Sequence, residues 1–295
     1  MTMKLYNTNI GILGMVDDNL GISLCDNSSV KKNAIINSFM EMQNLTLSKD
    51  KSKVVHIGSK SKCLNACPQL KVHNADMQET DEQKYLGDYI MSSGSNKSTI
   101  DHRRAKGYAQ LSEIQGILSE YPLGHHKLES GLNLREAMLI NGMMYSSEVW
   151  HGITLRDIAR LEQVDTSLLS SLASGHPKCP KEFHFLETGT LMIRHILTMR
   201  RLIYHHHILT RNDREIVRKI YNKQKETPNK GDWVNLLNED FNFIEEKMDE
   251  EEIAGKSAEV YKKEIKEKVR KYAFKEYIRL KNTHSKIKIL KLLNT

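Results

Sequence analysis

The spacing of apolar residues changes near residue 92, and this change limits the possible folds more than any other feature of the sequence. Before it, short apolar runs alternate with turn-forming residues, which predicts strands with one helix among them. After it, apolar residues recur at helical spacing over most of the chain. We therefore expect an α+β fold in three parts: strands with a packed helix in 1–92, helices in 93–210, and a helical, charged region in 211–295.

The composition is that of a globular chain with a basic surplus. A length of 295 residues with 39% hydrophobic content suffices for a sizeable core, and the net charge of +7 favours polyanionic partners. Four cysteines in so long a chain do not make a disulfide framework. No run approaches the roughly 20 apolar residues that span a bilayer. We therefore expect an intracellular protein, in the nucleus or cytoplasm, with no membrane partner.

Two adjacent aspartates lie at the tip of the first predicted strand pair. One apolar run, residues 10–16, precedes Asp17 and Asp18, and a second, residues 20–25, follows them, which predicts a β-hairpin. Neighbouring carboxylates repel each other unless cations offset their charge, so one interpretation is a metal site. The other is a turn that uses Asp only because Asp forms turns well.

A helix and two further strands are expected after this hairpin. Residues 26–29 supply capping side chains for a helix in which Ile35, Phe39 and Met42 recur at helical spacing, so the helix should cover one face of the strands. Residues 53–57 and 85–90 are the further predicted strands.

The clearest helical pattern covers residues 189–210. Its apolar positions share one face, whereas Arg194, Arg201 and His205 share the opposite face. This predicts an amphipathic helix with a basic side. Such a side can bind a phosphate backbone without reading its sequence, and the alternative interpretation is a solvated surface.

The end of the chain is strongly basic. Residues 258–295 contain 12 Lys or Arg and 4 Asp or Glu, a surplus of 8 positive charges. Aromatic residues such as Tyr261 and Tyr277 lie among these cations. The pattern fits stacking of aromatic side chains on nucleotides, and it equally fits an amphipathic helix that docks on the preceding helices.

Three segments of the first 90 residues resemble, in the correct order, the palm of reverse transcriptases of non-LTR retrotransposons. Met-Val-Asp-Asp at 15–18, between two apolar strands, is similar to the catalytic hairpin of this family. The segment 49–58 resembles its lysine-bearing loop and strand, and Tyr-Leu-Gly at 85–87 resembles the element that grips the primer end. The helices up to about residue 210 resemble its thumb and the region after the thumb.

The resemblance implies an RNA-directed DNA polymerase that uses two Mg²⁺ ions, with an RNA template, a DNA primer and deoxynucleotides as partners. Asp17 and Asp18 match its metal-binding aspartates. Lys51 matches the lysine near the triphosphate, with Lys49 and Lys53 as alternatives.

Tyr85, Leu86 and Gly87 match the residues that position the primer in this family. The residues themselves fit equally well an ordinary strand with a close backbone approach at Gly87. The resemblance therefore carries the functional interpretation of this segment.

The sequence departs from the family in two respects. Met15 stands where the family has Phe or Tyr, and only 16 residues precede Asp17, although the family's other metal-binding aspartate and its fingers lie upstream. Carboxylates on one turn cannot alone hold two metal ions in the required geometry. We expect a chain that is inactive alone, with a missing N-terminal half as a possible partner. The alternatives are a non-catalytic nucleic-acid-binding remnant and a helical protein-interaction module.

Overall fold

The computed structural model describes residues 4–5, 8–9, 12–15, 18–23, 26–57, 70–72, 75–120, 126–173, 179–229 and 231–283. The chain divides into two compact units, Met1–Thr99 and Ile100–Thr295. Helices form most of the described structure and are accompanied by short strands, so the α+β class is confirmed with a helical majority.

The strands described in the first unit are short and occur in pairs. The antiparallel pairs are β1 (Lys4–Leu5) with β2 (Thr8–Asn9), β3 (Ile12–Met15) with β4 (Asp18–Gly21), β6 (Lys71–Val72) with β7 (Ala75–Asp76), and β9 (Glu82–Tyr85) with β10 (Asp88–Met91). A parallel pair joins β5 (Lys53–Val54) to β8 (Gln78–Glu79). Within the described ranges these pairs do not merge into one sheet. The strand predicted at 53–57 is present as β5, which covers only residues 53–54.

The first helix, α1 (Asp26–Met42), packs against the strands of its own unit. Asn33 and Asn37 each donate a side-chain hydrogen bond to the Lys71 carbonyl of β6, at 2.9 and 2.8 Å. Met40 is buried, but Met42 is 72% exposed. The prediction that Met42 belongs to the apolar face is wrong, because the helix ends at this residue.

The predicted strand at 85–90 is instead a hairpin formed by β9 and β10. Tyr85 pairs with Asp88, and Leu86 and Gly87 form the two-residue turn between them. Both turn residues have positive φ, 48° and 90°, as type I′ turns require. Glycine adopts this conformation without a steric penalty, which explains why the chain reverses here.

The second unit consists of helices in the part that the structure describes. They are α2 (Lys97–Glu120), which begins three residues before the unit boundary, α3 (Lys127–Leu134), a π-helical segment (Arg135–Ile140), α4 (Asn141–Met143), a 3₁₀ turn (Ser147–Val149), α5 (Leu155–Leu172), α6 (Lys181–Thr188), α7 (Ile193–Leu209), α8 (Ile216–Glu226), α9 (Trp233–Phe243), α10 (Glu250–Gly255) and α11 (Ala258–Thr283).

Local signals explain where two of these helices begin or end. The three-residue spacing of Thr154 and Asp157 predicts a capping box, and the structure confirms it at the start of α5: the Thr154 side chain accepts a hydrogen bond from the Asp157 backbone, and the Asp157 side chain accepts one from the Thr154 backbone. The apolar spacing of residues 133–150 predicts a single helix. The structure divides this range: the helical path ends with α4 at Met143, and the left-handed backbone of Ser146, with φ of 63°, precedes the 3₁₀ turn.

One hydrophobic core joins the helices on both sides of residue 210. The members of this core extend from Ile100 to Tyr277. Helix α7 contacts α5, α8, α9, α10 and α11, so it lies at the centre of the unit. The boundary predicted between 93–210 and 211–295 therefore does not separate two cores, and we treat residues 100–295 as one unit.

Candidate functional site

The predicted catalytic hairpin is present as the pair β3 and β4. Met15 pairs with Asp18 and Leu13 pairs with Leu20. Asp17 lies outside the described residues, and only the backbone of Asp18 is described. The hairpin backbone thus matches the prediction, whereas the positions of the two carboxylates are not part of the described structure.

The described residues offer no group of three or more His, Cys, Asp or Glu side chains that could hold a metal ion. The side chains of the two aspartates that the resemblance implies as Mg²⁺ ligands lie outside the described part of the structure. A magnesium site is therefore not shown.

Lys51 lies in an exposed turn directly before β5. Of the two alternatives, Lys49 is exposed in the same turn, whereas Lys53 lies in β5 and donates a hydrogen bond to Gln78 of β8. Lys49 and Lys51 are therefore the loop lysines that a phosphate group can reach, and Lys53 contributes to the strand pair.

The strands of the hairpin with Leu86 and Gly87 at its tip are hydrogen-bonded to the start of α2. Thr99 accepts a hydrogen bond from the Tyr89 backbone at 2.8 Å, and Ser98 donates to the Glu82 carboxylate at 2.5 Å. Leu86 is 37% exposed at the tip of the turn. An apolar side chain is thus presented on a hairpin that is hydrogen-bonded at its base.

The structure does not join the two hairpins into one sheet. Within the described ranges, β3 and β4 pair only with each other, and so do β9 and β10. Lys51 precedes a third, parallel pair. The segments predicted for catalysis and primer binding therefore occur in the expected order. Their strands belong to separate pairs.

Arg194, at the start of α7, is the partly exposed member of the predicted basic face. Its guanidinium lies 3.5 Å from Glu276 of α11. Glu276 also accepts a 2.8 Å hydrogen bond from His195, which lowers the pKa of this carboxyl, and Arg194 adds to the effect. Arg194 therefore belongs to an ion pair that ties α7 to α11.

Arg201 is buried, which corrects the prediction of a basic surface at this position. Its Nη1 atom donates to Asp240 of α9 at 2.5 Å, and Thr198 donates to the other carboxylate oxygen at 2.6 Å. Only 4% of Arg201 is exposed. A phosphate backbone cannot reach it in this structure, because α9 covers this side of α7.

His205 is fully buried, so it also departs from the predicted basic face. Tyr221 donates its hydroxyl proton to Glu250 at 2.6 Å, and His205 Nε2 lies 2.9 Å from the same hydroxyl oxygen. The imidazole therefore donates from Nε2. Burial lowers the pKa of His205 to about 4, so its ring is neutral at pH 7 and cannot attract a phosphate.

A buried ion pair joins the π-helical segment to α5, and it was not predicted from the sequence. Arg135 donates two hydrogen bonds of 2.6 Å to Asp165 and a third, of 3.0 Å, to the Leu191 carbonyl. Asp165 occupies an apolar position of α5, four residues after Leu161 and three before Leu168. An acid at such a position is a sequence signal for a buried partner.

The two outermost tyrosines of the C-terminal helix are core residues. Tyr261 and Tyr277 are 3% and 0% exposed, and the Tyr277 hydroxyl accepts a hydrogen bond from the Met192 backbone at 2.8 Å. Neither ring is available to stack on a nucleotide. The structure therefore supports the alternative that this helix docks on the preceding ones.

An open groove of about 700 Å³ follows one face of α5. Two of the three Arg and Lys side chains in its lining form ion pairs: Arg160 lies 2.5 Å from Asp101, and Lys181 lies 2.5 Å from the buried Glu162. Hydroxyl groups from residues such as Thr166 complete the lining.

None of the described helices has the length and apolar character of a membrane span. Comparisons with models of protein families, with curated proteins and with solved structures find no significant match. Function must therefore be argued from the residues and geometry of this chain.

Proposed function

We propose that this chain is part of a reverse transcriptase of the non-LTR type and binds an RNA template with a DNA primer. In this proposal the first unit contributes the second half of a polymerase palm, and the helical unit contributes the thumb and the region that follows it.

The observation that carries the proposal is the order of elements in the first unit. A hairpin with paired aspartates precedes α1, an exposed loop with Lys51 precedes β5, and the hairpin with Leu86 at its tip precedes the long helix α2. This order matches that of palm and thumb in the family. The exposed apolar tip supports a contact with the primer end.

Each group in the proposed site has a chemical role. Asp17 and Asp18 would supply part of the ligand set of the ions, and bound Mg²⁺ would supply activation of the primer hydroxyl and neutralisation of the triphosphate. Lys51 would approach the triphosphate from its exposed turn. Leu86 would pack against the terminal nucleotide of the primer, and the rigid base of its hairpin would restrict the position of that nucleotide.

Binding of labelled RNA–DNA hybrids, measured by fluorescence anisotropy, tests the proposal. A hybrid with a recessed primer 3′ end should bind more tightly than a blunt hybrid of the same length. Leu86→Asn should abolish this preference. The substitution creates Asn-Gly, a favoured pair for a type I′ turn, so the hairpin is kept while its apolar tip is lost.

Leu155→Asn is the matched control, because Leu155 is an 84% exposed leucine in the helical unit. It should leave the preference for the recessed end unchanged. Absence of binding to either hybrid at low salt, or equal binding of both by the unaltered chain, would contradict the proposal.

A helical protein-interaction module is the second candidate. It is favoured by the burial of Arg201 and His205, because these residues were expected to form an exposed basic face. This candidate predicts that the chain binds neither hybrid, so the same titration separates the two.

A further inference from the structure

The outer face of α11 carries a row of cations. Lys262, Lys263, Lys266 and Arg270 are all exposed, and we call them the basic ridge. Successive helical residues are about 100° apart, so these four lie within an arc of about 100° on one side of the helix. From Lys262 to Arg270 the ridge extends about 12 Å along the helix axis.

The opposite face of α11 anchors the ridge to the helical unit. Tyr261, Ile265, Val269, Ala273 and Tyr277 recur every four residues and are at most 3% exposed. Helix α11 contacts both α6 and α7. The ridge therefore lies on a helix that is already packed against the unit. Binding of a ligand does not require this helix to fold.

The ridge cations differ from Lys268 and Lys275 of the same helix, which form ion pairs. Lys268 lies 2.6 Å from Glu264, and Lys275 lies 3.3 Å from Glu245. The four ridge residues have no carboxylate within 4.0 Å among the side chains that the structure describes. Their charges are thus available to a ligand, although Glu259 and Glu267 flank them.

The chemistry of the ridge favours a phosphate backbone over other anionic partners. An interfacial membrane helix needs large apolar side chains beside its cations, and the exposed Val260 and Ile278 lie outside the ridge, near the two ends of α11. A protein interface usually needs an apolar or aromatic anchor at its centre. The ridge consists of cations alone, which matches binding of phosphates without reading bases.

We propose that the basic ridge binds the phosphodiester backbone of a nucleic acid independently of sequence. This inference rests on the proposed function and deepens it, because it identifies a second contact surface distant in sequence from the proposed primer contact. The ligand chemistry is common to RNA and DNA, so the experiment includes both.

The test compares two triple variants of the full chain by fluorescence anisotropy across a salt series. The first is K262Q/K266Q/R270Q, which removes three ridge cations. The second is K127Q/R214Q/K219Q, which removes the same kinds of side chain from exposed positions outside α11. Both variants have the same net charge. Circular dichroism establishes that each remains folded.

Single-stranded RNA, single-stranded DNA and vesicles with anionic lipid are the three probes. We expect the ridge variant to bind both nucleic acids at least roughly tenfold more weakly at low salt, with a salt slope smaller by about 2. The control variant should bind like the unaltered chain. Equal affinities of the ridge variant and the control would overturn the inference, and so would a ridge effect confined to the vesicles.

The result of the ridge experiment can be distinguished from the result of the primer-end experiment that tests the proposed function. If the unaltered chain prefers a recessed primer end but the ridge variant binds normally, the ridge inference fails and the proposed function stands. If the ridge variant loses affinity while no preference for the primer end exists, the ridge binds nucleic acid but the reverse transcriptase proposal fails.

Discussion

Two ion pairs of the helical unit are closed off from solvent. Arg135 pairs with Asp165, and Arg201 pairs with Asp240. Removing charges from water costs free energy, which the pair recovers only when both partners are present and well aligned. These residues therefore specify how the helices pack, and loss of one partner should be far more damaging than loss of a surface ion pair.

Asp165→Asn should lower the free energy of unfolding by about 3–5 kcal/mol, because Arg135 would be left buried without its counter-charge. Urea denaturation followed by circular dichroism measures this change. Glu226→Gln is the control, because it removes an exposed ion pair. The side chains of Glu226 and its partner Lys223 are 65% and 70% exposed. The control should cost less than about 1 kcal/mol. Similar losses in the two variants would show that the buried pair has no special role.

His205 should make stability fall in mild acid. Its folded pKa of about 4 is below the ordinary value of 6.5, so the unfolded chain takes up a proton first as the pH falls. The contribution of His205 to the free energy of unfolding is complete above pH 6.5, decreases below it, and is lost at about pH 4. Between pH 7 and pH 5 the free energy of unfolding should therefore fall by about 2 kcal/mol.

His205→Gln removes this proton uptake and keeps a side chain that can donate to Tyr221. The free energy of unfolding of the variant, measured at both pH values, should therefore change by about 2 kcal/mol less than that of the unaltered chain. Identical changes would mean that His205 is not held neutral in the fold.

At the scale of single elements, glycine has opposite roles in a hairpin and in a helix. Gly87 has a φ of 90° in the turn between β9 and β10, where other residues are strained. Gly116 lies within α2, and a Cβ atom placed there would meet nothing within 4 Å. The same substitution should therefore have opposite effects at the two positions.

Gly87→Ala should destabilise the first unit by about 1–2 kcal/mol, because alanine is disfavoured at positive φ. Gly116→Ala should stabilise the second unit by about 0.5–1 kcal/mol, since it reduces the chain entropy lost on helix formation. Hydrogen exchange of amides in β10 and in α2 reports on the two units separately. A stabilising effect at Gly87 would rule out the left-handed turn.

Elements with local signals could be predicted from the sequence, and those that depend on distant partners could not. Thr154 and Asp157 are three residues apart, so the start of α5 was predictable. The sequence predicts an exposed basic face on α7, either for a phosphate backbone or for solvent, but Arg201 pairs with Asp240, 39 residues later along the chain. Spacing alone shows which residues share a face of a helix but not which other helix covers that face.

The same limit applies to the candidate site. The hairpin of β3 and β4 was predictable because its apolar runs and turn residues are adjacent in sequence. At residues 85–90 the positive φ of Leu86 was not predictable, since leucine rarely adopts it, and the segment was assigned to a strand. The sequence leaves open whether the aromatic residues of α11 stack on nucleotides or dock on other helices, because their burial depends on α6 and α7.

At the scale of the whole molecule, the helical unit should fold without the first unit. Its hydrophobic core consists of residues between Ile100 and Tyr277. A fragment of residues 97–283 retains this core and the complete α2. We expect it to be helical and to unfold in one cooperative transition, as measured by circular dichroism during heating. A gradual, non-cooperative loss of signal would mean that the first unit is needed for its packing.

The central claim is that the hairpin with Leu86 contacts the primer end of an RNA–DNA hybrid. Crosslinking from a photoreactive group on the 3′-terminal nucleotide, with the modified peptides identified by mass spectrometry, measures this contact directly. The account predicts crosslinks within residues 82–91, together with crosslinks near Asp17 and Asp18, and their loss at the first segment in Leu86→Asn. Crosslinks confined to the helical unit would contradict it.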